Sequence, residues 1–208
     1  MIDIKNIFGK KEKKIMNYSD FWTWFQKHEK SFFNVVNNNK DIEKNFFDKI
    51  SLRLSELKDG YFFLTGMFDD NTVELVFTAD GNPKNIVFVE ELVENAPKIN
   101  GWIFTALKPA TDIEKVTINM EGYEFDSENL FFYSNDYADF PDEVDICVIY
   151  NEMTEENKQQ TGNGSYIFID NYLGELAFLN NIDNIKFISR NEAEKELIPI
   201  SKLRDFLT

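Results

Sequence analysis

The chain has 208 residues, and 43% of them are hydrophobic, which is enough to form a substantial core in one or two domains. Its 37 Asp and Glu residues outnumber 22 Lys and Arg residues, so the formal net charge is −15. This charge disfavours nucleic acid and anionic lipid as partners. It favours a basic protein partner or simple solubility.

Two absences define the expected compartment. Cys147 is the only cysteine, so a disulfide within the chain is excluded, and its apolar surroundings predict a buried thiol. The amino-terminal residues lack the continuous apolar segment of a secretory signal, and no stretch approaches the roughly 20 apolar residues of a membrane span. We therefore expect a cytoplasmic protein.

Residues 1–14, MIDIKNIFGKKEKK, differ in composition from the rest of the chain. Five lysines against two acidic residues make this segment basic in an acidic protein, and we predict a flexible leader. Ile4, Ile7 and the lysines allow a second hypothesis, a membrane-surface adaptor. A single short apolar cluster binds lipid weakly, so we do not expect stable membrane binding.

Two helices are predicted after the leader. The first spans residues 19–36, with Ser19 as its N-cap and an apolar stripe that includes Phe21 and Phe25. The second spans residues 41–57 and also has one apolar face. A short polar loop joins them, which is typical of a helical hairpin packed on a sheet.

The most consistent local signals lie in residues 73–108. Apolar residues alternate with mixed ones over residues 73–79, which predicts a strand that pairs with residues 61–68 in a hairpin. Asn82 can cap the following helix, and Pro83 suits its first position. Residues 102–107 then resume as a strand. A crossover of this length predicts a βαβ unit with parallel strands.

The second half is richer in predicted strands. We predict a short helix over residues 154–160, closed by Gly162 and Gly164, and short helices at the end of the chain. The strand candidates are residues 115–120, 130–133, 144–150, 166–169 and 185–188.

These elements predict an α+β fold. We expect a mixed, largely antiparallel sheet with helices mainly on one face and one βαβ unit. Residues 15–208 are predicted to form a single domain. The order strand, strand, helix, strand describes both residues 61–107 and residues 130–169, so a weak internal duplication is a further hypothesis.

Most catalytic motifs are missing from the sequence. There is no phosphate-binding GxxxxGK[ST] loop, and the glycines at 162 and 164 lack the third glycine of a dinucleotide fingerprint. His28 is the only histidine and has no ligand or triad pattern around it, so we expect a packed or surface residue. The sequence thus predicts no cofactor.

Carboxylates are the abundant reactive groups. Asp80 and Asp170 each follow a predicted strand, and Glu175 is close behind Asp170. If those strands were parallel neighbours, the three side chains would converge at one sheet edge and could bind a divalent metal or act as general acid and base. The competing interpretation is that Asp80 and Asp170 make turn and cap hydrogen bonds, which is the commoner role of Asp at strand ends.

A second acidic group lies in a predicted loop between two strands. It could dock onto a basic protein surface, or it could simply be solvated. Its members are Asp136, Asp139, Asp142, Glu143 and Asp145.

Four segments carry a resemblance to a known group. FWTWF at residues 21–25, FTADG at 77–81, APKINGWIFTALKP at 96–109 and ELIPISKL at 196–203 resemble an uncharacterised family of small bacterial cytoplasmic proteins. The resemblance spans most of the chain after the leader. It implies a bacterial, cytoplasmic origin, and it brings no reaction, ligand or site residue with it.

The sequence therefore favours a non-enzymatic binding or accessory protein whose acidic surface holds a basic protein partner. A carboxylate-dependent, metal-assisted enzyme using Asp80, Asp170 and Glu175 is one alternative. The membrane-surface adaptor is the other.

Overall fold

A computed structural model describes residues 14–137 and 139–207. The predicted α+β class is confirmed, because these residues form six α-helices and nine strands in mixed, largely antiparallel sheets. The chain divides into two compact units, Met1–Ala106 and Leu107–Thr208. The predicted leader, apart from Lys14, lies outside the described residues. That residues 15–208 form one domain stays a prediction.

The first unit contains three helices and three strands. A π-helix, Glu43–Phe47, leads directly into the second α-helix, and a 3₁₀ turn, Pro83–Asn85, leads into the third. The elements are α1 (Tyr18–Asn38), α2 (Asp48–Leu57), β1 (Phe62–Asp69), β2 (Thr72–Thr78), α3 (Ile86–Glu94) and β3 (Trp102–Ala106).

Local chemistry explains where these helices begin. The cap of α1 is Asn17 rather than the predicted Ser19, and its side chain accepts a hydrogen bond from the Asp20 amide at 2.9 Å. Asn82 accepts from the Lys84 amide at 3.1 Å and Pro83 follows it, as predicted. The predicted single helix over residues 41–57 is wrong in its first part, which is π-helical and buries Phe46.

The sheet of the first unit has the strand order β1-β2-β3. β1 pairs with β2 in antiparallel fashion and β2 pairs with β3 in parallel, with Val73 opposite Trp102, so the predicted hairpin and crossover are confirmed. Helices α1 and α3 and the π-helix pack against this sheet, and α2 packs against α1. Rings of α1 and the π-helix there contact rings of the strands, including Phe21 with Phe77, Phe25 with Phe104 and Phe46 with Phe63.

The second unit contains six strands and three helices. Short 3₁₀ turns at Ile113–Lys115, Arg190–Glu192 and Ile200–Lys202 connect them. The elements are β4 (Ile118–Met120), β5 (Tyr123–Phe125), β6 (Leu130–Tyr137), β7 (Phe140–Tyr150), α4 (Lys158–Leu173), α5 (Glu175–Asn181), β8 (Asn184–Ile188), β9 (Ile198–Pro199) and α6 (Leu203–Phe206).

The main sheet of this unit has the order β8-β7-β6-β9, and β4 and β5 form a separate hairpin. β7 and β8 are parallel and are joined through α4 and α5, so the chain contains a second βαβ unit. The predicted strand over residues 166–169 is wrong, because these residues lie inside α4. Phe168, Ile169, Tyr172 and Leu173 lie at helical spacing and are buried in the core.

Both units share one order of pairing. A hairpin, β1–β2 or β6–β7, is followed by a crossover to a parallel strand, β3 or β8. In the second unit this pattern runs to residue 188 rather than to the predicted 169. The internal duplication itself stays a prediction. Among the described residues, no helix combines the length and the apolar character needed to cross a membrane.

Candidate functional site

The outer strand β1 of the first unit has one edge to which no strand of the described residues is hydrogen-bonded. It lies at the edge of the sheet, and among residues 14–137 and 139–207 its only strand partner is β2. Four large apolar side chains on it are exposed: Phe62 at 49%, Leu64 at 51%, Met67 at 37% and Phe68 at 64% of their full surface. Natural edge strands usually carry Lys, Pro or a cover that blocks pairing with another chain. The segment FFLTGMF of β1 contains no Lys or Pro. Its pairing with β2 is regular over residues 62–67 and becomes irregular between Met67 and Asp69, so the straight part of the edge is residues 62–67.

The alternation of β1 explains this exposure. Phe63 turns inward and contacts the rings of Phe46 and Phe47 in the π-helix, at centroid distances of 6.1 and 5.5 Å. Its neighbours Phe62 and Leu64 turn to the opposite face, which the helices of this unit do not cover. Phe63 therefore anchors the strand from one face, and Phe62 and Leu64 make the other face apolar. Met67 lies on the same face as Phe63 by this alternation, and Phe68 lies at the irregularity between Met67 and Asp69.

The segment between Lys58 and Lys84, which contains β1, has only acidic charges. Residues 59–83 contain Asp59, Asp69, Asp70, Glu74 and Asp80 and no Lys or Arg. Asp59, Asp69 and Asp70 are exposed at the two ends of the strand. A segment that pairs with β1 would therefore meet an apolar centre with negative charge at each end, which favours a basic segment.

A cavity of about 300 Å³ lies where α2 meets the start of β1. Its walls include Tyr18, Tyr61, Phe88 and Lys58. Gly60, just before β1, has a φ of +96° and lies under the Asn85 side chain, whose amide donates to the Gly60 carbonyl at 3.2 Å. This turn places Tyr61 in the cavity wall and the next residue on the open strand.

Hydrogen bonds hold the two phenols of the cavity. The Tyr18 hydroxyl donates to Glu91 Oε2 at 2.9 Å. The Tyr61 hydroxyl donates to the Phe88 carbonyl at 3.2 Å and lies 3.4 Å from the Tyr18 hydroxyl. Burial raises the pKa of Tyr61 and, to a smaller extent, that of Tyr18, and the nearby Glu91 carboxylate adds to both shifts. Both rings are therefore neutral phenols at physiological pH.

A cation already occupies this cavity. The Lys58 ammonium lies 3.2 Å from the centroid of the Phe88 ring, well within the distance of a cation–π contact. Lys58 is the C-cap residue of α2, so its position follows from where that helix ends. The cavity thus combines aromatic faces, a nearby carboxylate and an ammonium group.

The three carboxylates predicted from the sequence have different settings. Asp80 lies in the first unit, in a turn with φ of +48°, and its amide donates to Thr78 Oγ1 at 2.9 Å. Asp170 and Glu175 lie in the second unit, inside α4 and at the start of α5. Because residues 166–169 are helical, Asp170 does not follow a strand, so the predicted pair of neighbouring strands ending at Asp80 and Asp170 does not exist.

Asp170 and Glu175 both bond to Lys108 in the second unit. The Lys108 ammonium binds the Asp170 carboxylate, and the Lys108 amide donates to Glu175 Oε2 at 3.2 Å. The Glu175 amide in turn donates to the Lys108 carbonyl at 2.9 Å. Both carboxylates are buried, and their hydrogen bonds hold Lys108 against the junction of α4 and α5. Within residues 14–137 and 139–207, no group of three or more His, Cys, Asp or Glu side chains is arranged to hold a metal ion.

The second acidic group is also not the predicted loop. Its residues lie in β6, β7 and the turn between them, because the hairpin extends further than residues 133 and 144. Asp145 is buried in β7 opposite Asn184, so its carboxylate is not offered to a partner. Asp139 and Glu143 are exposed, and the side chains of Asp136 and Asp142 lie outside the description.

Sequence reasoning missed both β1 as an open edge and the cavity beside it. One signal was available, since residues 59–83 combine an uncharged apolar strand with acidic residues only. The adaptor hypothesis concerns residues outside the described part of the chain and stays a hypothesis. No family model, curated protein or solved structure matches the chain.

Proposed function

We propose that this is a non-enzymatic binding protein that takes up an extended, basic segment of a partner protein as an additional strand along β1. The observation that carries the proposal is an edge strand without Lys or Pro over residues 62–67, on which Phe62 and Leu64 are exposed on one face and Met67 on the other. Main-chain hydrogen bonds along such an edge supply affinity, and alternate side chains supply specificity.

The charge of the chain supports a basic rather than an acidic segment. The net charge of −15 attracts cations over a distance, and Asp59, Asp69 and Asp70 flank the apolar centre of β1. An edge strand of this composition would also invite aggregation unless a partner covers it. Electrostatic attraction and strand addition therefore point to the same kind of ligand.

A direct test uses two fluorescent peptides of about nine residues, one strand in length. One alternates lysine or threonine with valine, and the other carries glutamate in place of lysine. We expect the basic peptide to bind, measured by anisotropy, and the acidic peptide not to bind. Raising NaCl from about 0.05 to about 0.5 M should weaken binding, because it screens the charges.

Leu64→Lys is the critical variant, because it places a blocking charge on the edge strand. We expect it to weaken binding of the basic peptide by at least about tenfold, or about 1.4 kcal/mol. Leu176→Lys is the matched control, since Leu176 is exposed to a similar degree, 44%, on α5. Equal binding by the two variants, or no binding of the basic peptide by the unaltered chain, would contradict the proposal.

A further inference from the structure

The cavity beside β1 has features of a cation site that the strand proposal does not use. Tyr18, Tyr61 and Phe88 line it, and the face of Phe88 is in contact with an ammonium group. The Glu91 carboxylate lies next to the cavity, where it accepts a hydrogen bond from the Tyr18 hydroxyl. Aromatic rings attract ammonium groups through their quadrupole, and neutral phenols and phenyl rings provide such faces. A nearby carboxylate adds Coulomb attraction for the same kind of ligand.

Lys58 shows which chemistry fits this cavity. Its ammonium lies against the Phe88 ring at 3.2 Å, so the site accommodates a primary alkylammonium group with its apolar stem. Met16 and Leu57 provide apolar surface for such a stem. Lys58 is a residue at a helix end with a long flexible side chain, and no ion pair of Lys58 is found among the described residues. Displacing Lys58 therefore breaks no ion pair, and the incoming ammonium replaces the cation–π contact that Lys58 gives up.

We propose that this cavity takes the ammonium group of a partner lysine, which displaces Lys58 from the face of Phe88. The inference rests on the proposed function, because Tyr61 directly precedes β1 and a segment paired with β1 would pass the mouth of the cavity. Lys58 then acts as an internal competitor. A basic segment would gain both a strand contact and a specific pocket for one of its side chains.

The test uses ligands too small to form a strand. The probes are N-acetyl-lysine methylamide, its trimethylated form, tetramethylammonium chloride and the uncharged N-acetyl-norleucine methylamide. Binding is followed by NMR, from the upfield shift of ligand protons placed over aromatic rings. We expect both lysine derivatives to bind and the norleucine derivative not to bind.

Lys58→Gln separates this site from general charge effects. It removes the competing ammonium group, so we expect it to increase the affinity for the lysine derivatives several-fold. It also makes the net charge of the protein more negative by one, which needs a control. Lys98→Gln is the matched control, because Lys98 is an exposed lysine outside the cavity and its replacement changes the net charge equally. Phe88→Leu should reduce the affinity by about tenfold, because the ring face is lost.

The outcomes are distinct from those of the strand proposal. If Lys58→Gln and Lys98→Gln bind the lysine derivatives equally, or if neither binds them, the cavity inference is overturned even when the basic peptide still binds through β1. If tetramethylammonium binds and the lysine derivatives do not, a partner lysine is likewise excluded. If the lysine derivatives bind as expected while Leu64→Lys leaves peptide binding unchanged, the cavity stands and strand addition fails.

Discussion

Gly164 of α4 lies directly against the ring of Phe125 in β5. A Cβ atom at this position would stand 2.7 Å from Phe125 Cδ2 and nearer still to two other ring carbons. Phe125 is fully buried within the core of the second unit, so moving its ring would disturb the residues packed around it. The β4–β5 hairpin can pack on α4 only because residue 164 has no side chain.

We therefore expect Gly164→Ala to destabilise the protein by about 1–3 kcal/mol, the usual cost of overpacking a core. Gly162→Ala provides a control in the same helix. Its Cβ would meet Phe187 at 3.6 Å, an ordinary contact, so the gain in helix propensity should stabilise by about 0.5–1 kcal/mol. Urea unfolding measures both, and equal effects of the two substitutions would contradict this packing.

The buried pair of Lys108 and Asp170 gives a second prediction. Lys108→Met leaves the Asp170 carboxylate buried without its ammonium partner, and we expect a loss of about 3–5 kcal/mol. Combining it with Asp170→Leu should restore much of that loss, because the uncompensated charge is removed. Lys115→Met is the control. Its pair with Asp112 is exposed, so its loss should cost about 0–1 kcal/mol in the same denaturation measurement.

Glu192 predicts a pH-dependent contribution to stability. Lys158 donates to its carboxylate, and the Ser189 amide and hydroxyl also donate to it, which lowers its pKa from 4.5 to about 2. A lowered pKa means that the contribution is present above about 4.5 and is lost as the pH falls towards about 2. Glu192→Gln should therefore lower the urea midpoint at pH 6. The difference between this variant and the wild type should disappear as the pH falls towards about 2.

The matched control for that series is Glu196→Gln, because Glu196 is also exposed and the substitution removes the same charge. At pH 6, Glu196→Gln should lower the urea midpoint by less than Glu192→Gln does. A difference between wild type and Glu192→Gln that stays constant from pH 6 down to the lowest pH measured would rule out the predicted linkage.

Two buried tryptophans of the first unit test the value of one hydrogen bond. The Trp22 indole donates to the Leu92 carbonyl at 2.8 Å, which ties α1 to the end of α3. Trp22→Phe leaves that carbonyl without its donor and should cost about 1–3 kcal/mol more than the lost packing. The Trp102 indole nitrogen is buried with no hydrogen-bond partner among the described residues. Trp102→Phe should therefore be the milder substitution in thermal or urea unfolding.

The β2–α3–β3 unit could be predicted from the sequence because its local signals agree. The alternation of apolar residues predicted β2. Asn82 and Pro83 marked the start of the helical segment, and the short crossover required parallel strands. The π-helix at residues 43–47 was not predictable, since its residues have the same apolar spacing as an α-helix. Helix α4 was mispredicted because Gly162 and Gly164 are typical of a break.

The sequence by itself determined the fold class, the β1–β2 hairpin and the first crossover, because these depend on periodicity and turn chemistry within short stretches. Tertiary structure decided that the glycines belong inside a helix, since only the position of Phe125 makes Gly164 necessary. It also decided that β1 is an edge and that Lys58 lies on Phe88. Strand order and cavity walls depend on contacts between residues distant in the chain, which no local pattern records.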